Sequence, residues 1–421
     1  MKRDYNSVLK EALKKITPSE EEFKKINCAI DDFKEKVGKR IKDLKVGAEI
    51  FVGGSFAKKT IIKKDKYDVD IFIRFDKRHK DLSELTKKLL SDFKKEEIRG
   101  SRNYFAINQG DFFIEVVPVS KVSNPRNAEN VTDLSYSHVN YIRKKLKGKI
   151  LDEVKLAKAF CYANGCYGAE SYIKGFSGYS IELLVYNYKG FIKFIKAFEK
   201  IREKEVIDIE RHFKNKNDVF MDLNEAKLHS PIILIDPTYK KRNALAALSY
   251  ETFWKFKKVC SEFLKKPSIK FFEGKEINLE KICNAAERKE FEFALLEIKT
   301  DRQSGDIAGT KLLKFHNFFT SEIDKFFHVK SRGFEYKNGK KARFFFVVKS
   351  KKELTRKGPQ LNKKENVARF RKKHKNTFIK SGRVYAREMV DFNLKEFLEN
   401  WKKKNKDRMR EMSINEMTIA G

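Results

Sequence analysis

Residues 67–75 (YDVDIFIRF) constrain the fold of this chain more than any other segment, because charged and apolar side chains alternate along them. Alternation of this kind predicts a β-strand, in which successive side chains point to opposite faces of a sheet. Asp68 and Asp70 therefore project to the same side, one pleat apart. Two carboxylates held this close repel each other unless a cation lies between them, so the strand predicts a metal-binding site.

A third carboxylate stands on a second predicted strand, residues 112–119 (FFIEVVPV). Glu115 would supply a further ligand from a neighbouring position. A site built only from carboxylate oxygens favours Mg²⁺ over Zn²⁺. Two such ions about 3.5–4 Å apart can activate an attacking hydroxyl and stabilise a departing pyrophosphate.

A Gly53-Gly54-Ser55 turn precedes the first strand and predicts a place for phosphates. The glycines allow a tight turn, and Ser55 can cap the helix that follows. A helix N-terminus offers free N–H groups to a triphosphate. We expect Gly54, Ser55 and Lys58 to contact it, with further charge from Lys59, Lys63 and Lys64. Neither the turn nor an Asp-x-Asp pair is specific alone, but together and in this order they indicate an enzyme that acts on NTPs.

Composition sets the wider limits. The net charge of +35 comes from 94 Lys and Arg spread over 421 residues, and it predicts a polyanionic partner, nucleic acid first. A host proteome rich in lysine is the alternative explanation. The sequence lacks an eighteen-residue apolar stretch and an apolar signal core near its start, so we expect a cytoplasmic protein without a transmembrane helix. The five cysteines have no zinc-like spacing, which indicates buried thiols in a reducing compartment.

The order of predicted elements indicates an α+β multidomain protein. A strand-rich catalytic unit spans residues 47–135, with a helix near 81–95 crossing between its strands. The other predicted elements are two basic helices in 1–46, helices at 152–164, 179–188 and 190–204, a strand at 231–235, helices to about 265, a β-α-β series at 291–299, 309–327 and 342–349, and a solvated helix at 401–410.

The turn and the three carboxylates resemble the active site of nucleotidyltransferases of the polymerase-β type. More restrictive segments make the chain similar to the archaeal-type (class I) CCA-adding enzymes, which are tRNA nucleotidyltransferases. They fall in order over nearly the entire chain: VTDLSYSH (131–138), LAKAFCYANGCYGAE (156–170), GFSGYSIELL (175–184), DPTYKKRNALAALS (236–249) and GPQLNKKENVARF (358–370). The resemblance implies a polymerase-β-like nucleotidyltransferase head at 1–145, a helical neck at 146–205, a body at 206–280 with 377–421, and an α+β tRNA-binding tail at 281–376.

The resemblance also implies the activity. The family adds C, C and A to the 3′ end of tRNA from CTP and ATP without a template, uses Mg²⁺, and commonly forms homodimers. Asp68, Asp70 and Glu115 fall where the family has its metal-binding carboxylates, although archaeal sequences usually carry Asp at the position of Glu115. Ser55 matches a phosphate-contacting serine. The remaining matches are nucleotide-binding positions: Ser135, His138, Lys158, Tyr167 and Arg242.

The residue types agree with these roles only in part. Lys158 carries a point charge suited to phosphate, but without the resemblance a lysine on a basic helix is more typical of a solvated surface. Tyr167 can stack or can simply pack, and a lone histidine such as His138 is often structural. Arg242 has the clearest chemistry, because a fixed guanidinium offers paired donors to a cytosine edge. Selecting CTP and ATP over GTP and UTP needs directional contacts of this kind.

Residues 369–387 (RFRKKHKNTFIKSGRVYAR) interleave cations with aromatic side chains. This pattern suits RNA, since cations hold phosphates and aromatic rings stack on exposed bases. The predicted RNA-binding residues are Arg369, Arg371, Lys372 and Arg383. A solvated, lysine-rich helix and loop is the competing interpretation. In the family this region holds the acceptor and TΨC arms of tRNA.

Two other classes of function stay open on the catalytic residues alone. A poly(A) polymerase or an oligoadenylate synthase would share the carboxylates, and a non-enzymatic RNA-binding protein could keep the fold. The restricted segment at 156–184 argues against the first class, and the presence of all three carboxylates argues against the second.

Overall fold

The strand predicted at 67–75 is present with those bounds in the computed structural model, which describes residues 5–64, 66–100, 102–274 and 277–420. The chain up to the second predicted strand forms α1 (Tyr5–Ile16), α2 (Glu20–Asp43), β1 (Ala48–Val52), α3 (Gly54–Ala57), β2 (Tyr67–Phe75), α4 (Leu82–Leu89), β3 (Lys95–Ile98), β4 (Tyr104–Asn108) and β5 (Phe112–Ser120). Its strands make one sheet of order β1-β2-β5-β4-β3. The β2 and β5 strands are parallel, and the other neighbours are antiparallel.

One face of this sheet is covered by α2 and α4. Val69, Ile71 and Ile73 of β2 are fully buried and share a core with Ile30 and Phe33 of α2. The intervening residues of β2 point to the opposite face, as the alternation predicts. The sheet thus separates a hydrophobic core from a face that carries the two aspartates.

The helix predicted near 81–95 is shorter than expected. It ends at Leu89, and the chain then forms β3 and β4, an antiparallel hairpin whose second strand pairs with β5. This hairpin extends the sheet on the far side of β5, so the parallel pair of β2 and β5 lies inside the sheet.

A helical layer follows, with a second, smaller sheet. Its elements are α5 (Ser135–Lys145), α6 (Ile150–Ala163), α7 (Gly178–Tyr188), α8 (Phe191–Lys200), β6 (Glu205–Asp208), α9 (Lys216–Asp222), α10 (Glu225–Leu228), β7 (Ile232–Asp236), β8 (Tyr239–Asn243) and α11 (Tyr250–Lys265). Helices α6, α7, α8 and α11 contribute to a phenylalanine-rich core that includes Phe160, Phe194 and Phe256. The helix predicted at 190–204 ends at Lys200, because residues 205–208 join the sheet β6-β7-β8.

The second unit of the fold begins near residue 276. It contains α12 (Leu279–Glu287), β9 (Glu292–Thr300), α13 (Asp306–Asp324), β10 (Phe327–Tyr336), β11 (Lys341–Ser350), β12 (Glu353–Gln360), α14 (Lys364–Lys373), β13 (Asn376–Lys380), β14 (Arg383–Met389), α15 (Leu394–Lys404), α16 (Lys406–Glu411) and β15 (Ile414–Ala420). The strands form two sheets, of order β10-β11-β9-β15 and β12-β14-β13. The predicted β-α-β series corresponds to β9, α13 and β11.

The predicted solvated helix at 401–410 is only partly solvated. Trp401 and Met409 are buried in the same core as the β9–β11 strands, because α15 and α16 lie against that sheet. The four-part division into head, neck, body and tail stays a prediction. The predicted tail ends at residue 376. Strands from before and after this residue pair in the same sheets, β12 with β14 and β9 with β15. In the part of the chain that the structure describes, no helix combines the length and apolar character needed to cross a membrane.

Candidate active site

The Gly53-Gly54-Ser55 turn packs directly on β2. The Gly53 amide donates to the Asp70 carbonyl at 2.9 Å, and Gly54 has a positive φ of 59°. A Cβ atom at Gly53 would lie 2.3 Å from the Phe72 ring. The expectation that Ser55 caps the following helix is wrong, because Gly53 occupies the N-cap position of α3. Ser55 lies inside this short helix.

The three predicted metal ligands share one face of the sheet. In the parallel register of β2 and β5, Asp70 lies directly opposite Glu115, and Asp68 lies one pleat away on β2. Lys64 Nζ lies 3.7 Å from Asp68 Oδ2. The strand pairing therefore brings together carboxylates from two predicted strands, on the face away from the core.

The carboxylates disfavour each other's charge. Burial, followed by the nearby Asp68, raises the pKa of Asp70, and the charge of Lys58 opposes the shift. Burial, with the charges of Asp70 and Asp68, raises the pKa of Glu115 to about 8. A divalent cation between these groups would remove the repulsion, and its preferred ligands are carboxylate oxygens. The types of ligand therefore fit such an ion. Among the described residues, however, no three acidic, histidine or cysteine side chains lie close enough together to coordinate one metal ion without moving.

A cavity of about 250 Å³ opens in front of the carboxylates. It gathers seven of the predicted site residues, namely Ser55, Lys58, Asp68, Asp70, Glu115, Lys158 and Tyr167. Thr60, Lys64, Glu170 and Gly178 also line it, together with Ile61, Ile62 and Tyr67. The other predicted nucleotide-binding residues, Gly54, Ser135, His138 and Arg242, are not among its lining residues. The cavity thus combines an acidic wall on the sheet with basic side chains from the turn and from α6.

The basic side chains are held by a buried carboxylate that our sequence reasoning missed. Glu182 of α7 is within 2.7 Å of both Lys58 Nζ and Lys158 Nζ, and it accepts a hydrogen bond from Thr60 Oγ1. Burial favours its neutral form, but Lys158 and Lys58 outweigh burial and lower the pKa of Glu182 to about 2. Burial lowers the pKa of Lys158 to about 8. A single acidic residue in the apolar segment SIELL was the signal available for Glu182.

Tyr167 faces the same cavity. A Cβ atom at Gly178 would lie 3.0 Å from the Tyr167 hydroxyl and 3.6 Å from Lys158 Nζ, so the absence of a side chain at Gly178 leaves room for both groups. The Lys64 ammonium lies 5.6 Å from the centre of the Tyr167 ring. Burial raises the pKa of Tyr167, so its hydroxyl stays a hydrogen-bond donor at neutral pH.

His138 and Arg242 belong to a second polar cluster, centred on Asp236 at the end of β7. Asp236 Oδ2 is 2.9 Å from His138 Nε2 and 2.7 Å from an Arg242 Nη atom, while Oδ1 accepts from the Tyr179 hydroxyl at 3.0 Å. The His138 and Tyr179 rings stack 4.2 Å apart. Burial alone would raise the pKa of Asp236, but the hydrogen bond from His138 and the charge of Arg242 hold it well below its usual range. Ser135 begins α5, one turn before His138.

The predicted RNA-binding residues of the second unit fall on two elements. Arg369, Arg371 and Lys372 lie on α14, and Arg383 begins β14. The α14 helix packs on one side of the three-stranded sheet. Gly358 of β12 faces this helix, since a Cβ atom there would lie 2.8 Å from the Phe370 ring and 2.8 Å from Val384.

The other side of that sheet is basic and aromatic. Phe378 and Tyr385 pair across β13 and β14, with ring centres 5.5 Å apart and nearly parallel planes. The Arg387 guanidinium lies 5.0 Å from the centre of the Phe378 ring. Alternation along the strands places further cations on the same side. We call this side the aromatic face, and it carries Lys357, Phe378, Lys380, Arg383, Tyr385 and Arg387.

Comparison with protein families gives two matches that together span much of the first unit. A family model described as tRNA nucleotidyltransferase, second domain, matches residues 152–273. A model described as a Second Messenger Oligonucleotide or Dinucleotide Synthetase domain matches residues 3–134. The first covers most of α6 and the elements up to α11, with Tyr179, Asp236 and Arg242 but without His138, and the second covers the sheet that carries the carboxylates.

Curated relatives extend the similarity to nearly the whole chain. The CCA-adding enzyme of Methanocaldococcus jannaschii is 30% identical over 394 residues, which cover 90% of this chain and 86% of that enzyme. The enzyme of the same name from Archaeoglobus fulgidus is 29% identical over 410 residues, or 91% of this chain and 86% of that one. The Nanoarchaeum equitans CCA-adding enzyme is 41% identical over 209 residues, which cover 49% of this chain and 52% of the relative.

Solved structures share the fold at low identity. A cytoplasmic RNA terminal U-transferase superposes with a TM-score of 0.50, and a mutant of the Cid1 poly(U) polymerase bound to MgATP superposes with a TM-score of 0.51. Each is 15% identical, and the match covers 65% of this chain and 100% of the other. The predicted polymerase-β-like nucleotidyltransferase fold is thereby confirmed.

Proposed function

The chain belongs to the archaeal-type CCA-adding enzymes, nucleotidyltransferases that add CCA to tRNA, and we propose that Asp68, Asp70 and Glu115 carry the reaction. The observation that supports this assignment is the register that sets Asp70 opposite Glu115, in one cavity with Lys58 and Lys158. An acidic wall facing a basic wall suits a metal-bound triphosphate.

The proposed reaction is in-line attack of the tRNA 3′-hydroxyl on the α-phosphate of CTP or ATP, with release of pyrophosphate. Asp68, Asp70 and Glu115 would hold Mg²⁺, the ion that an all-oxygen donor set favours. When bound, this ion would lower the pKa of the attacking hydroxyl and neutralise charge on the pyrophosphate. Ser55 and Lys58 bind the β- and γ-phosphates, beside the amides of Gly54 and its neighbours.

The other predicted nucleotide-binding residues divide by location. Lys158 contributes positive charge from inside the cavity wall, since its side chain is almost fully buried. Tyr167 contacts the sugar from the same cavity. We propose that Arg242 reads the base edge, because Asp236 holds its guanidinium in place through a 2.7 Å hydrogen bond. His138, which lies on α5 with Ser135, contacts the same Asp236 carboxylate.

We propose that the tRNA acceptor and TΨC arms bind the second unit, with the aromatic face as the principal contact and α14 as an additional basic surface. Cations on the aromatic face can hold backbone phosphates, while Phe378 and Tyr385 offer a stacking surface. The tRNA substrate supports a cytoplasmic location. A homodimer rests on the family resemblance alone, and light scattering of the purified protein tests it.

The deciding experiment measures incorporation of labelled CTP and ATP into tRNA that lacks its terminal CCA, in the presence of Mg²⁺. We expect ordered addition of two C and one A, and loss of this product in an Asp70→Ala control. Long adenylate tails would instead identify a poly(A) polymerase. Tight tRNA binding without incorporation would contradict a catalytic role for the carboxylates.

A further inference from the structure

Glu182 is a charged side chain with no exposed surface, in the middle of the apolar helix α7. Its Oε2 accepts a hydrogen bond from Lys58 Nζ at 2.7 Å. Its Oε1 accepts from Lys158 Nζ at 2.7 Å and from Thr60 Oγ1 at 2.8 Å. One carboxylate therefore joins the turn after β1 to α6.

The two lysines use their hydrogen-bond donors differently. Lys158 Nζ donates to Glu182, to Thr60 Oγ1 at 2.8 Å and to the Thr60 carbonyl at 3.4 Å, which occupies the three donors of an ammonium. Lys58 Nζ donates only to Glu182 within the described part of the chain. Two N–H groups of Lys58 are thus available to a ligand, and the bond to Glu182 fixes the position of the ammonium that bears them.

The charges in this cluster do not balance. Two ammonium groups face one carboxylate, so the cluster carries a net positive charge in a largely buried place. Lys158 is sufficient to compensate Glu182, while the charge of Lys58 also acts on Asp70 in the same cavity. Lys58, Thr60 and Lys158 all line the cavity. The Lys58 ammonium therefore faces the cavity beside the three carboxylates that would hold a metal ion, where a metal-bound triphosphate can contact it.

We infer that Glu182 is a positioning residue for the triphosphate of the incoming nucleotide. It holds Lys58 so that the free N–H groups of this lysine contact phosphate oxygens, while Lys158 compensates the carboxylate. The inference rests on the proposed function, because it names the residue that prepares the same cavity for its nucleotide.

The first test measures the affinity of the full-length protein for CTP by calorimetry, without RNA. Glu182→Gln keeps the size of the side chain and removes its charge, and we expect about tenfold weaker binding of CTP. Glu153→Gln is the matched control, because Glu153 accepts a hydrogen bond from the Phe191 amide at 2.8 Å and does not line the cavity. Its CTP affinity should equal that of the wild type.

A double variant separates positioning from simple charge compensation. Glu182→Gln combined with Lys158→Met leaves a single ammonium, Lys58, and so keeps the net charge of the cluster. If Glu182 positions Lys58, the double variant binds CTP more weakly than Lys158→Met alone, which measures the loss of the Lys158 charge itself. Recovery of wild-type affinity would overturn the inference, since Glu182 would then only neutralise Lys158.

If the Glu182→Gln protein does not fold, CTP affinity is measured on Thr60→Val instead. This change removes the hydroxyl that donates to Glu182 and leaves every charge in place, and we expect about threefold weaker CTP binding. Unchanged affinity in a folded Thr60→Val protein would contradict the positioning role. CTP affinity can be measured even if the wild type binds CTP but adds no nucleotide to tRNA. That outcome would contradict the proposed function and would leave the test of Glu182 intact.

Discussion

Asp70 occupies the space that a side chain at Gly54 would need, since a Cβ atom there would lie 1.7 Å from Asp70 Oδ2. Gly54 also has a φ of +59°, which other residues adopt only with strain. We expect Gly54→Ala to displace the Asp70 carboxylate and to lower CTP incorporation by at least about tenfold. Gly110→Ala is the control, because Gly110 has a φ of +84° but no atom within 4 Å of a Cβ there. Equal activity of the two variants would contradict this account.

Glu115 tests the third ligand position. We expect Glu115→Gln to lower incorporation by about 100-fold, because it removes a carboxylate opposite Asp70. Glu115→Asp keeps the carboxylate on a side chain one methylene shorter and should stay within about tenfold of the wild type, with a changed Mg²⁺ concentration dependence. EDTA should abolish activity and excess MgCl₂ should restore it. Full activity of Glu115→Gln would remove Glu115 from the metal site.

Asp236 tests the proposed base reader. Asp236→Asn weakens the attachment of Arg242 and His138, so we expect UTP incorporation relative to CTP to rise about tenfold. The ratio is measured on one sample, which cancels any unfolded fraction. Asp208→Asn is the control. The Asp208 carboxylate accepts a hydrogen bond from the Phe213 amide at 2.9 Å, and its replacement should leave the ratio of UTP to CTP incorporation unchanged. An unchanged ratio in Asp236→Asn would argue that Arg242 does not read the base.

His316 makes the second unit sensitive to acid. Its ring lies 4.9 Å from that of Phe344 and 5.6 Å from that of Phe346, and burial, with the charge of Arg332, lowers the pKa of His316 to about 4. The folded state thus binds this proton more weakly than the unfolded state, whose histidine has its ordinary pKa of 6.5. Stability should fall as the pH drops from 6.5 to 4, by about 3 kcal/mol at the lower end.

The effect of His316 can be measured with Trp401, which packs 4.7 Å from Phe319 in the same core. In a Trp254→Phe background, Trp401 is the only tryptophan and its fluorescence follows unfolding of this unit. His316→Leu should remove the acid-dependent loss, while His328→Gln, at an exposed position on β10, should retain it. Identical pH profiles for His316→Leu and the wild type would contradict the prediction.

The aromatic face predicts which arginines matter for RNA. Arg387→Ala should weaken tRNA binding and reduce the slope of log Kd against log salt concentration by about 1. Arg369→Ala, on the far side of the sheet, should have a smaller effect. Phe378→Ala should weaken binding without changing the salt slope, because the ring stacks and carries no charge. A larger loss at Arg369 than at Arg387 would assign the RNA to α14.

Local pattern was sufficient for the strands that build the acidic wall. The β2 and β5 strands alternate because one of their faces is buried, and that alternation also placed Asp68 and Asp70 together. The strands β3 (KEEI), β8 (YKKRN) and β10 (FHVKSRGFEY) escaped prediction, because they are polar strands without a continuous apolar face. Each pairs with the strand next to it along the chain, so the hairpins β3-β4, β7-β8 and β10-β11, rather than an apolar pattern, mark these strands.

The same limit applies to the site. Carboxylates on one strand can be recognised from spacing, whereas Glu182 meets Lys58 and Lys158 only after α7 packs beside α6. Asp236 likewise meets His138, 98 residues away in the sequence, only in the folded chain. Residues that support others through tertiary contacts leave little local signal, so the sequence pattern predicts Asp68, Asp70 and Glu115 as metal ligands but does not indicate the contacts of Glu182 and Asp236.

The position of β9 has a consequence for synthesis of the protein on the ribosome. Its two neighbours in the sheet are β11 and β15, and Ile298 of β9 pairs with Met417. When β11 has emerged, one edge of β9 therefore still exposes unpaired backbone groups beside apolar side chains, and it stays open until β15 is translated. An open edge of this kind is a template for pairing with other chains. The nascent protein should thus depend most on chaperones in the interval between these two strands.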